Sequence, residues 1–162
     1  MEISLHRFNA DGGWDCTPDG GLDSDQTLLI VFATSQPAPA VAQQLAGLRQ
    51  TFPEATLIGC SSSGEIYGED LHDNGIVLAA MRFDHTRIRL AHTRVGSAQD
   101  SGAAGRAMAE QLRADDLTAV MFEVEHDFEV VGRRSQKIVF ILDQIARNGQ
   151  DALRGFFRKL AG

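Results

Sequence analysis

The sequence predicts an α/β fold: a mixed β-sheet with a βαβ unit, an antiparallel strand pair and a C-terminal helical hairpin. Three observations predict this fold. A continuous apolar run at residues 27–33 is typical of a central strand that is covered on both faces. An amphipathic stretch and a second apolar run at residues 55–60 follow it. Apolar side chains then recur at helical spacing through residues 132–162.

The βαβ unit extends from residue 27 to residue 60. Pro37 and Pro39 favour a helix start just after the first strand, and Pro53 ends that helix. Between them one apolar stripe lies at helical spacing, formed by Val41, Leu45, Leu48 and Phe52. A crossover of this kind joins parallel strands and is nearly always right-handed. We therefore expect the polar ends of the two strands to meet at one edge of the sheet.

The antiparallel pair is predicted further along the chain. Residues 75–83 are typical of a strand, residues 84–86 of a turn, and residues 87–95 of its antiparallel partner. A helix is predicted after Ser97, with a stripe of Ala104, Met108 and Leu112. Another strand follows at residues 117–124.

Composition divides the chain into three segments. Residues 1–26 are rich in Asp and Gly and predict a mobile N-terminal arm. Residues 27–131 form the predicted α/β domain, and residues 132–162 a basic helical tail. The apolar stripes of the tail are Ile138, Ile141, Leu142 and Ile145, then Leu153, Phe156, Phe157 and Leu160. This helical hairpin either covers a sheet face or pairs with a second chain, so we expect a homo-oligomer.

Charge and composition exclude several classes of protein. Apolar residues make up 43% of the chain and charged residues 23%, as in soluble globular proteins. No apolar run predicts a membrane span, and the N-terminus lacks a secretory signal, so we expect a cytoplasmic protein with no membrane partner. Residues 1–131 carry 8 basic and 20 acidic side chains, which argues against nucleic-acid binding. Residues 132–162 carry 7 basic and 2 acidic side chains, and these contact either an acidic partner or the acidic body of the chain itself.

The strongest candidate for a site is residues 57–66, which read LIGCSSSGEI. Small residues allow a sharp bend and close approach to a ligand, and hydroxyls and free N–H groups bind polar groups. Ligands of open α/β sheets bind beyond the carboxyl ends of parallel strands. The predicted ligand-binding residues are Thr34, Ser35, Cys60, Ser61, Ser62, Ser63 and Glu65. Glu65 would bind an ammonium group; the alternatives are a plain tight turn and a solvated loop carboxylate.

The same segment does not match a catalytic motif, and we expect no enzyme. Gly59 and Gly64 are five positions apart, whereas the nucleophile elbow needs four, and no Gly-Lys-Ser/Thr follows them. Catalysis by Cys60 or Ser61 would need a base nearby in space. The histidines lack metal-ligand spacing, and no metal or cofactor is expected. His92 is a candidate haem ligand, with an ordinary strand histidine as the alternative.

Residues 28–33, the helix up to Pro53, the phrase IGCSSSGEI at 58–66 and the strand at 75–83 together resemble the N-terminal part of FIST domains. The resemblance covers roughly residues 25–125, without the second half of such a domain. It implies a non-enzymatic sensory module of bacterial signal transduction that binds a small polar molecule such as an amino acid. A kinase or chemoreceptor is an implied partner. The alternatives are a haem-based nitric-oxide sensor and a truncated half-domain that serves as an oligomerisation scaffold.

Overall fold

The structure is a computed structural model that describes residues 1–34, 38–93, 98–117, 119–121, 123–124 and 138–139. Its elements, in chain order, are β1 (Glu2–Asn9), β2 (Gly13–Trp14), β3 (Thr27–Thr34), α1 (Pro39–Thr51), β4 (Thr56–Ser62), β5 (Glu65–Tyr67), β6 (Asp70–His72), β7 (Gly75–Arg82), a 3-10 turn (Ala98–Asp100), α2 (Ser101–Leu112), β8 (Glu123–Val124) and β9 (Ile138–Val139).

The central sheet has five strands in the order β2-β1-β7-β3-β4. Strands β3 and β4 are parallel, in a register that extends from Leu28 opposite Thr56 to Thr34 opposite Ser62, and α1 connects them. The βαβ unit is therefore confirmed. Strand β7 lies between β1 and β3 and is antiparallel to both, so the sheet is mixed, as the sequence predicts.

The antiparallel partner of β7 differs from the predicted one. Its two edges are occupied by β1 and β3, so the described residues 87–93 of the predicted partner do not pair with it. Within the described residues 84–93, only Arg87 and Ala91 form isolated bridges. Strand β7 is buried along most of its length and needs a neighbour on each side, and β1 supplies the second neighbour from the far end of the chain.

Strand β1 corrects the prediction of a mobile arm. Residues 2–9 pair with β7 along their whole length, from Glu2 opposite Arg82 to Asn9 opposite Gly75. His6 and Phe8 are buried there. The alternation of side chains in this strand is short and is followed at once by Asp and Gly residues. Its partner lies 66 positions away at Asn9 opposite Gly75 and 80 positions away at Glu2 opposite Arg82. Local sequence patterns could not reveal that pairing.

Alternate residues of each strand lie on opposite faces of the sheet, and an apolar cluster covers each face. We call the first the helix face, because α1 packs on it; its buried residues include Leu29, Val31, Leu78, Val41, Leu48 and Phe52. The opposite face carries a second cluster of Leu28, Ile30, Ile58, Ala79, Met81 and Phe83. Ile3, Leu5, Ile88, Ala119 and Met121 pack against that second cluster.

The predicted C-terminal hairpin falls outside the described residues except at two positions. Ile138 and Val139 form β9, which pairs antiparallel with β8. At these positions the helix prediction is wrong, because β-branched residues fit a pleated strand and the pairing with β8 outweighs the helical spacing. Across the described residues, no helix is long and apolar enough to cross a membrane.

Candidate functional site

The candidate segment forms less loop than the sequence predicts. Strand β4 continues through Ser62, and the bend is confined to Ser63 and Gly64. The Ser62 hydroxyl donates to the Gly64 carbonyl oxygen at 2.5 Å, and its Oγ lies 3.2 Å from the Gly64 amide nitrogen. This side chain therefore closes the turn. The chain then reverses into the β5–β6 hairpin, in which Glu65 lies opposite His72.

A cavity of about 240 Å³ lies beside this turn, on the opposite face of the sheet and toward the carboxyl ends of β3 and β4. Its lining residues are Phe32, Ser62, Gly64, Glu65, Ile66 and Val77. Phe32 and Val77 are neighbours across β3 and β7. Phe32 is 38% exposed, in a strand whose other residues are buried or half-buried. The apolar cluster that covers this face of the sheet therefore does not extend over Phe32, and the cavity lies there.

Glu65 is the polar group of this cavity with unused bonding capacity. Its side chain is 2% exposed, and neither carboxyl oxygen has a hydrogen-bond partner in the described structure. Burial raises the pKa of Glu65 above its ordinary value, because the charged form loses its hydration. The amides of Gly75 and of Glu65 itself oppose that rise without making hydrogen bonds of normal geometry, and the Asp73 carboxylate adds to it. Such a carboxyl group can accept hydrogen bonds from a ligand.

Successive side chains of β4 lie on opposite faces of the sheet, so serines that are adjacent in the sequence are separated in the structure. Ser62 lies opposite Thr34 on the cavity's face of the sheet, and Cys60 lies opposite Phe32 on the same face. Ser61, one position along, belongs to the helix face. Ser63 is exposed in the turn. Of the predicted site residues, Ser62 and Glu65 line the cavity, and Ser35 lies outside the described residues.

Three apolar lining residues were missed: Phe32, Ile66 and Val77. The period of two along β3 could have placed Phe32 on the same face as Thr34. Val77 gives no such signal, because its position depends on which strand β7 pairs with. Ile66 depends on the hairpin, which the sequence analysis did not predict.

A cluster of polar side chains around Arg7 adjoins the cavity. Arg7 lies opposite Val77 in the β1–β7 register and so shares the cavity's face. Its Nε and Nη2 atoms are each 3.0 Å from a carboxyl oxygen of Asp15. Its Nη1 atom is 2.8 Å from Nε2 of His72, and the guanidinium carbon lies 5.7 Å from the centre of the Tyr67 ring. One cation thus contacts both strands of the β5–β6 hairpin.

The candidate haem ligand, His92, lies away from the cavity. His92 is exposed and does not line the cavity. Within the described ranges, no group of three or more His, Cys, Asp or Glu side chains is arranged to hold a metal ion.

The fold and the cavity together define a mixed α/β domain with a small, partly apolar pocket at the carboxyl ends of its parallel strands. Residues 27–162 match the family model described as the FIST N domain. The chain therefore belongs to the FIST N domain family, whose members are sensory domains of signal transduction. The match also includes residues 132–162, beyond the extent of the resemblance seen in the sequence. Searches of curated proteins and of solved structures found no match.

Proposed function

We propose that this domain senses a small molecule that carries a hydrogen-bond donor, preferably an ammonium group, on a short apolar body. The observation that carries the proposal is Glu65, a buried carboxyl group without a hydrogen-bond partner that lines a cavity. A buried carboxylate is costly unless it is paired. A ligand cation would supply the missing partner and so gain affinity from the same group that destabilises the empty site.

The other lining residues support the apolar part of this ligand. Phe32, Ile66 and Val77 offer apolar surface, while the Ser62 hydroxyl is engaged with the backbone of Gly64. A volume of about 240 Å³ suits a molecule of amino-acid size better than a nucleotide or a large cofactor. A small aliphatic amine or an apolar amino acid fits both requirements.

We propose binding without chemical turnover. The one hydroxyl among the described lining residues closes a turn, and Glu65 has no second group beside it in the lining to share general acid–base chemistry. Ligand binding would change signalling only through different affinities for two conformations of the domain.

The test is a thermal-shift titration with three matched probes: n-butylammonium, n-butanol and pentanoate. A ligand at 100 times its Kd stabilises a protein by about 2.7 kcal/mol. We expect n-butylammonium to raise the Tm, n-butanol to raise it less, and pentanoate to leave it unchanged. Apolar amino acids form the second panel.

Two variants locate the site. Glu65→Gln should abolish the preference for n-butylammonium over n-butanol, because it removes the negative charge. Ser61→Ala is the matched control on the helix face and should retain the wild-type shift. Equal responses to the ammonium ion and the alcohol in the wild type, or an unchanged preference in Glu65→Gln, would contradict the proposal.

A further inference from the structure

We propose that Arg7 is a positioning residue that fastens the β5–β6 hairpin beside the cavity. Strand β1 precedes the residues matched by the family model, so this inference makes the N-terminal strand part of the site. The effect on ligand binding rests on the proposed function, whereas the positioning of the hairpin can be tested without any ligand.

The hairpin buries few apolar side chains of its own. Each of its strands has three residues, and so short a hairpin is marginal by itself in water. Its buried side chain is Glu65, whose unpaired carboxyl group opposes docking. Its large aliphatic side chains are mostly exposed, since Ile66 is 54% exposed and Leu71 is 69% exposed. Apolar burial therefore does not account for its position.

Arg7 supplies contacts to both strands of the hairpin. Its guanidinium lies near the ring of Tyr67 on β5 and within hydrogen-bonding distance of His72 on β6. His72 lies directly opposite Glu65, so a contact that holds His72 also fixes the strand pair that carries the carboxyl group. A planar cation suits this position, because it can stack on one ring and donate to another.

The Arg7 guanidinium also contacts Asp15, which directly follows β2 of the central sheet. The Asp15 carboxylate accepts a hydrogen bond from Nη2 and pairs with Nε. The Asp15 amide donates to the Arg7 carbonyl oxygen at 2.9 Å, which ties the two residues together through the backbone as well. Because β1 pairs with β7 along its full length, the guanidinium connects the hairpin to the sheet that forms the rest of the cavity.

The decisive experiment is hydrogen exchange of the backbone amides in Arg7→Met. Amides of residues 65–72 should exchange about tenfold faster than in the wild type, since opening of the hairpin no longer breaks the Arg7 contacts. Amides of β3 should keep their wild-type rates. The control is Arg82→Met, which removes an exposed ion pair with Glu2 on the same strand pair, away from the hairpin, and should not change the exchange of residues 65–72.

Unchanged exchange of the hairpin in Arg7→Met, or equal acceleration in Arg82→Met, would overturn the proposal. If Arg7→Met fails to fold, Tyr67→Leu and His72→Ala remove the same contacts from the hairpin side. Each should accelerate exchange of residues 65–72 and leave β3 unchanged, and the absence of that effect in both would also overturn it.

Measurements of n-butylammonium binding distinguish the positioning role from the proposed function. Arg7→Met should weaken n-butylammonium binding about tenfold if the hairpin positions Glu65 for it. If the wild type shows no binding but hairpin exchange still accelerates in Arg7→Met, the proposed function fails and the positioning role stands. If binding is preserved in Arg7→Met while the hairpin exchanges at the wild-type rate, the positioning role fails and the proposed function stands.

Discussion

The two faces of the central sheet use the same strands for different purposes. On the helix face, Leu29, Val31 and Leu78 pack against α1 in a continuous apolar cluster. On the opposite face, the covering is continuous near Leu28 and Ile30 but is interrupted toward the carboxyl end of β3, where Phe32 lines a cavity beside Glu65. Near the carboxyl end of β3, Val31 therefore contributes to the buried core while its neighbour Phe32 lines the candidate site.

This difference shows where the fold can accept an unfavourable group. The helix face gains free energy from apolar burial. The cavity contains a carboxyl group that loses hydration without gaining a partner. A site of this kind persists only because the rest of the sheet stabilises the fold, and substitutions on the two faces should therefore differ in their effect on stability.

The largest effect should come from Leu78→Ala on the helix face. Leu78 is fully buried, and such truncations cost about 2–5 kcal/mol of unfolding free energy. The preceding residue, Val77, lies on the cavity's face. Val77→Ala removes less apolar surface and should cost about 1–2 kcal/mol. Urea denaturation of both variants measures the difference. Equal losses would contradict the distinction between the faces.

A smaller loss is expected from Gly59→Ala in β4. A Cβ at this position would lie 2.2 Å from the backbone oxygen of Val31, so the parallel strands would have to move apart. Such overpacking costs about 1–3 kcal/mol. Gly47→Ala in α1 is the control: no atom lies within 4 Å of its added Cβ, and it should stabilise the helix by up to about 1 kcal/mol. Thermal melts compare the two, and a stable Gly59→Ala would show that the close approach can relax.

On the cavity's face, Glu65→Gln should change the pH dependence of stability. The pKa of Glu65 is raised in the folded protein, so the folded state binds its proton more tightly than the unfolded state does. Stability from this group is complete below its ordinary pKa of 4.5 and is lost as the pH rises through the folded value. The wild type should therefore lose stability relative to Glu65→Gln as the pH rises above about 4.5.

Urea denaturation of both proteins between pH 4 and pH 8 measures this difference, and subtraction removes the other titrating groups. A difference in unfolding free energy that is independent of pH would show that burial does not raise the pKa of Glu65.

The smallest effect is expected at the outer surface of the hairpin. Leu71 is 69% exposed, and Leu71→Thr should change the unfolding free energy by about 0.5 kcal/mol or less. A thermal melt is sufficient to check this. A loss comparable to that of Val77→Ala would mean that Leu71 supports the cavity wall, and the contrast between the packed face and the open one would then be weaker.

The sequence patterns predicted the parts of the fold that depend on local order. The buried run of β3, the stripe of α1 and the strand that follows them are confirmed as a parallel βαβ unit. The prediction was wrong for residues 2–9 and for the partner of β7, because pairing between distant strands leaves no local signal. Ile138 likewise belongs to a predicted helical stripe, yet it lies in β9 and pairs with β8.

For the candidate site, the sequence alone determined which polar residues follow the parallel strands, since residues 57–66 place them directly after an apolar run. Only the tertiary structure decided which of them meet. The pleat of β4 sends Ser61 and Ser62 to different faces, the turn at Gly64 buries Glu65, and the pairing of β1 with β7 brings Arg7 to the hairpin. The physical reason is that side-chain direction and strand neighbours are set by long-range hydrogen-bonded pairing, which adjacent residues do not encode.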